Sequence, residues 1–105
     1  LYIDIKGYNL DGYPGIYYFD SYGNKPPKNI KKLINKIIKQ GKKLNIDFYY
    51  FYNDKSYQKA NYQCGIYCIY FITTMIKNIS FLKFLLGPLK DKHMKELRKH
   101  FFIKL

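Results

Sequence analysis

The stretch DKSYQKANYQCGIYCIYFITTMIK, residues 54–77, decides how the rest of the chain is read. Residues 54–63 are polar and turn-prone, and from Cys64 onward nearly every residue is apolar. Such a run is rich in Ile, Tyr and Phe and suits a strand as well as a helix. Its length decides for a buried helix that opens at Cys64. The apolar run from Gly65 to Ile76 is too short and too interrupted to span a bilayer.

Working upstream, FYYFYN at 48–53 reads as a short strand. Before it, Ile30, Leu33, Ile34, Ile37 and Ile38 recur at helical spacing, with Lys31, Lys32, Lys36 and Lys39 on the outer face. That is an amphipathic helix approached through Pro26 and Pro27, and Gly41 is expected to end it. The opening LYIDIKGYNLDGYPGIYYFDSYG reads as two strands, residues 1–5 and 16–20, around a Gly-, Asn- and Pro-rich turn. Downstream, breaks near Ser80 and at Gly87-Pro88 precede a last helix over about 89–102, with Met94, Leu97 and Phe101 inward.

A chain of 105 residues allows one domain, and its apolar fraction of 48% is enough for a core. It begins inside a strand and without Met, so a fragment of a longer protein is expected. Nineteen basic residues against seven acidic give a formal charge of +12. That balance favours polyanions, nucleic acid among them. The plainer alternative is a solvated Lys-rich surface on a chain rich in Lys, Asn, Ile and Tyr. Only Cys64 and Cys68 are present, which argues against a disulfide framework and for a reducing, intracellular setting. A soluble protein without membrane contact is expected.

Cys64 is the first candidate for chemistry. A thiol attacks as its thiolate, and the positive end of a helix favours the anion. Gly65 beside it leaves room for a substrate. The alternative is that Cys64, like Cys68, is a small buried hydrophobe. Gln58 lies six residues before Cys64, in a loop that must fold back to the helix start. Its amide could join the Cys64 backbone N–H in an oxyanion hole. Asp20 closes an aromatic strand, where an acid can orient an imidazole. In Asp-Ser-Tyr-Gly it could equally bond its own backbone in a turn.

The order FDSYG then QKANYQCGIYC resembles the clan of SUMO-specific and adenovirus-type cysteine proteases. Its members run His, an acid or Asn, Gln, Cys along the chain. Asp20-Ser21 after an aromatic strand, Gln58 six residues before Cys64, and Cys64-Gly65 followed by Tyr67 are similar to that pattern. Cys68 is similar to the second cysteine of adenovirus-type enzymes, and the ending DKHMKELRKHFF to the tail of homologues from large DNA viruses.

The resemblance implies an α+β, papain-like cysteine protease core. A small mixed sheet would pack on a central helix that begins at the nucleophile, with flanking helices. Residues 1–105 would be one partial catalytic domain. Two departures stand out: Gln63 replaces the Asp usual before the nucleophile of SUMO proteases, and no histidine precedes Asp20. The family histidine is expected a few positions upstream of Leu1. His93 and His100 both follow Cys64 and would break the family order.

The resemblance further implies a Cys-His-Asp triad of Cys64, the upstream His and Asp20, with Gln58 in the oxyanion hole and no metal or organic cofactor. Cleavage would follow glycine, at Gly-Gly or Gly-x-Gly sites. Viral structural precursors are the expected protein substrates, and SUMO-like or ubiquitin-like conjugates the alternative. The expected location is the virion or the host cytoplasm at the site of assembly, and this fragment alone should be inactive. From another class, the chain reads as a basic nucleic-acid-binding module with exposed tyrosines as stacking surfaces. Non-specific DNA contact is compatible with both.

Overall fold

The computed structural model describes residues 1–59 and 64–101, with the backbone alone for His100 and Phe101. The order is β1 (Tyr2–Asp4), β2 (Gly15–Tyr18), α1 (Lys28–Lys43), β3 (Tyr49–Tyr52), α2 (Cys64–Ile76), α3 (Phe81–Leu85) and α4 (Asp91–Phe101). The three strands form one mixed sheet in the order β1-β2-β3. β1 runs antiparallel to β2, with Ile3 opposite Ile16. β3 runs parallel to β2, with Ile16 opposite Tyr50 and Tyr18 opposite Tyr52. A parallel pair needs a crossover, and α1 supplies it. The α+β class and the central helix opening at Cys64 are as expected from sequence.

Phe19, just past β2, sits at the centre of the core. Its ring meets Phe84 edge-on at 5.0 Å and stacks with Phe71 at 5.5 Å. Tyr17, Ile66, Tyr67, Met75, Phe81, Leu89 and Met94 belong to the same cluster. Anchoring a large ring so firmly fixes where the next residue, Asp20, leaves the core.

β2 ends at Tyr18 and not at Asp20, and all four helices differ from the sequence reading. α1 continues past Gly41 to Lys43. Gly41 is buried, and a Cβ there would lie 2.8 Å from the Phe48 ring and the Ile46 carbonyl. It is a close-approach glycine, and the left-handed turn that follows falls to Asn45, at φ 59°. In the apolar stripe of α1, Ile34 is buried while Leu33 remains 43% exposed.

The segment after Ser80 forms a further short helix, α3, which the breaks at Ser80 and Gly87 had hidden. Ser80 caps it, its Oγ accepting from Lys83 N–H at 3.1 Å. α2 is not buried all round: Ile66, Tyr67, Phe71, Thr74 and Met75 face inward, while Cys64, Gly65 and Cys68 are exposed. α4 begins at Asp91 rather than 89, with Met94 buried and Leu97 half-buried. The inward reading of Phe101, the tail beyond it, and Gln63 lie outside the described side chains. Among the described residues, no helix is long and apolar enough to cross a membrane.

Candidate active site

The turn that follows Phe19 gathers the site. Asp20 Oδ1 accepts from the Tyr22 backbone N–H at 2.9 Å, closing an Asx turn. Gly23 N–H then donates to the Asp20 carbonyl at 2.8 Å. Gly23 adopts φ +77°, and a Cβ there would lie 2.8 Å from the Lys55 backbone, so only glycine lets the turn lie against the segment after β3. Of the two readings of Asp20, the turn-forming one is therefore present. It leaves the acid at the sheet's rim beside the start of α2.

Asn53, buried immediately after β3, bonds to this turn from the other side. Its Oδ1 accepts from Asp20 N–H at 2.9 Å, and its Nδ2 donates to the Asp20 carbonyl at 2.6 Å and to the Lys55 carbonyl at 3.0 Å. The amide thus does what one more pair of strand residues would do. It ties the exits of β2 and β3 together without extending the ladder.

Gln58 is 2% exposed, and its loop is held by Ser21. The Ser21 carbonyl accepts from Tyr57 N–H at 2.7 Å and from Gln58 N–H at 2.9 Å. The Ser21 hydroxyl donates to Gln58 Oε1 at 2.5 Å. With its oxygen engaged in this way, the amide turns its NH2 end to the donor role. A solvated loop glutamine would make none of these bonds.

Cys64 is exposed at the first position of α2, where the helix's unpaired N–H groups and dipole favour an anion. The Tyr22 side chain reaches it from the Asp20 turn and shares a hydrogen bond with the thiol. Shielding from water, then the charges of Cys64, Asp91 and Asp20, push the Tyr22 hydroxyl upward, so it keeps its proton across the neutral range.

Cys68, one turn along α2, is exposed as a residue, but its sulfur is shielded enough to push the thiol upward. Cys64 and Asp20 add to that.

The structure thus brings Cys64, Gln58 and Asp20 to one turn, each bonded through a residue of Ser21-Tyr22 or through the backbone of that turn. His93 lies elsewhere, its ring edge-on to Tyr70 at 5.7 Å. The His100 side chain is outside the described residues. Sequence reasoning missed Ser21, Tyr22, Asn53 and Asp91. Ser21 and Tyr22 stood in the quoted Asp-Ser-Tyr-Gly run, whereas Asn53 and Asp91 gave no local signal. Among the described residues, no group of three or more His, Cys, Asp or Glu side chains could hold a metal ion.

Known proteins resemble this chain in sequence and in fold. The model of the Ulp1 protease family, C-terminal catalytic domain, matches residues 5–104. R355 of Acanthamoeba polyphaga mimivirus, named as a candidate thiol protease, is 32% identical over 103 residues, covering 97% of this chain and 32% of that protein. The cysteine protease S273R of African swine fever virus is 27% identical over 109 residues, covering 97% of this chain and 36% of that protein. The crystal structure of the swine fever virus pS273R protease superimposes with a TM-score of 0.84 at 24% identity, over 98% of this chain and 37% of that one. The fold is therefore the same, and the chain spans about a third of the length of these relatives.

Proposed function

This chain belongs to the Ulp1 protease family, and from that premise we propose that it is the nucleophile-bearing part of a viral cysteine endopeptidase. The observation that carries the reading is the convergence at the Asp20 turn: Ser21 grips Gln58 while Tyr22 reaches Cys64.

In this reading a histidine upstream of Leu1 removes the Cys64 proton, and Asp20 holds its ring in orientation. What supports that location is the family to which the chain belongs, whose histidine precedes the acid along the chain. The thiolate attacks the carbonyl carbon. The oxyanion is held by the Gln58 amide and the Cys64 backbone N–H. Collapse breaks the C–N bond, the imidazolium gives its proton to the departing amine, and a thioester remains. Water, deprotonated by the histidine, hydrolyses it and restores the thiol.

Glycine before the scissile bond is the proposed specificity, with viral structural precursors as substrates and ubiquitin-like conjugates as the alternative. The virion or the host cytoplasm is the proposed place of action. In the test, the full-length chain should hydrolyse Gly-Gly reporters and residues 1–105 alone should not. Cys64→Ala should abolish turnover, and equal activity in that variant would end the proposal.

One observation favours a second, compatible role. α1 carries Lys28, Lys31, Lys32, Lys36, Lys39, Lys42 and Lys43 in exposed positions and no carboxylate. Such a face attracts a polyanion such as DNA, and the affinity should fall steeply with salt. An affinity indifferent to salt would remove this role.

A further inference from the structure

Asp91 is the first residue of α4, yet its carboxylate is bonded to two elements far away in sequence. Oδ2 accepts from the Lys59 backbone N–H at 2.9 Å, 32 residues upstream. Oδ1 accepts from the Tyr67 hydroxyl at 3.0 Å, and that hydroxyl is shared with the Tyr57 carbonyl at 3.1 Å. Tyr67 is fully buried in α2, one turn past Cys64. One carboxylate therefore ties three things together: the start of α4, the nucleophile's helix and the backbone on either side of Gln58.

Two sets of bonds reach Gln58 and its neighbours from different sides. Ser21 holds the residue from the side of the acid's turn, through two backbone bonds and the side-chain oxygen. Asp91 and Tyr67 hold its neighbours, Lys59 and Tyr57, from the side of the helices. The second set adds a grip from the side of the helices to the one Ser21 supplies. An oxyanion donor must sit within a few tenths of an ångström of its working position before the charge develops. A carboxylate at a helix N-terminus is itself stabilised by the helix dipole, so this grip does not compete with the folding of α4.

We infer that Asp91 is a positioning residue of the oxyanion hole, fixing the Gln58 amide relative to Cys64 through the Lys59 backbone and the Tyr67 hydroxyl. The inference rests on the protease reading above and gives α4, otherwise remote from the chemistry, a part in it. The role is one of positioning, exerted through Gln58.

The test uses the full-length enzyme, a Gly-Gly peptide reporter and alkylation of Cys64 by iodoacetamide, which needs no oxyanion hole. Asp91→Ala should lower kcat about tenfold or more, with KM and the alkylation rate each within about twofold. Tyr67→Phe, which keeps the ring in the core, should lower kcat in the same direction by a smaller factor.

The decisive measurement is the double variant: in a Gln58→Ala background, Asp91→Ala should cost nothing further, because the group it positions is gone. Losses that multiply in the double variant would overturn the inference. So would an alkylation rate that changes along with kcat, in either direction, since Asp91 would then act on Cys64 or on the fold at large. Failure of the protease reading is separately visible, as turnover insensitive to Cys64→Ala or Gln58→Ala.

Discussion

The side-chain amide of Asn53 brackets the backbone of Asp20, accepting from its N–H at 2.9 Å and donating to its carbonyl at 2.6 Å. Asn53 is 3% exposed, so neither bond is replaced by water when the side chain is lost. Asn53→Leu keeps the approximate volume but leaves the Asp20 N–H without its acceptor, while the Asp20 carbonyl keeps the Gly23 N–H. Stability should fall by about 1–3 kcal/mol, read as a lower midpoint in urea denaturation at unchanged slope.

Tyr22 offers Cys64 a hydroxyl that keeps its proton in the neutral range. A donor to sulfur stabilises the thiolate more than the thiol. In Tyr22→Phe, alkylation of Cys64 at pH 7 should be severalfold slower while the melting temperature is nearly unchanged. An alkylation rate equal to that of the unmodified chain would mean that the hydroxyl has no part in activating the sulfur.

Burial, with the Asp91 carboxylate second, pushes the Tyr67 hydroxyl far above its ordinary value of 10. The neutral form is thus favoured in the folded chain. Its contribution to stability is complete below about pH 10, where the unfolded tyrosine also keeps its proton, and is lost as pH rises through the folded value. The stability of the wild type should therefore decline more steeply above pH 10 than that of Tyr67→Phe, as followed by denaturation at a series of alkaline pH values.

The two exposed cysteines should not react alike. Burial first, then the proximity of Cys64 and Asp20, push the Cys68 thiol upward. At pH 7 a substoichiometric haloacetamide should label Cys64 ahead of Cys68, as peptide mapping by mass spectrometry would show. Preferential labelling of Cys68 would contradict the assignment of the reactive sulfur.

Features carried by a single segment were legible in the sequence. The period of Ile30, Ile34, Ile37 and Ile38 gave α1, and the apolar run after the polar loop gave α2 and its opening residue. Gly41 misled because a glycine near a helix end usually terminates it; here the need is space for Phe48, a contact with no local sign. α3 escaped because five residues carry too little periodicity to register.

The candidate site divides along the same line. Asp20, Gln58 and Cys64 stand in short recognisable contexts. Asn53 and Asp91 act on backbone groups 33 and 32 residues away, and a lone Asn or Asp looks the same whether it is solvated or spans such a distance. Only the folded arrangement separates those cases.

Because β2 and β3 run in the same direction, both chains leave the sheet at a common rim, and the acid's turn and the glutamine loop emerge level with each other. Their alignment depends on the strand register and not on the intervening helix. A slip of one residue would displace the two exits by about 3.3 Å and reverse which faces their side chains occupy. Insertions or deletions in the polar segments that flank the lysine-bearing bridge, by contrast, should be absorbed in solvent. Variation between related chains should therefore collect in those segments and spare the spacing from Phe19 to Asp20 and from Asn53 to Gln58.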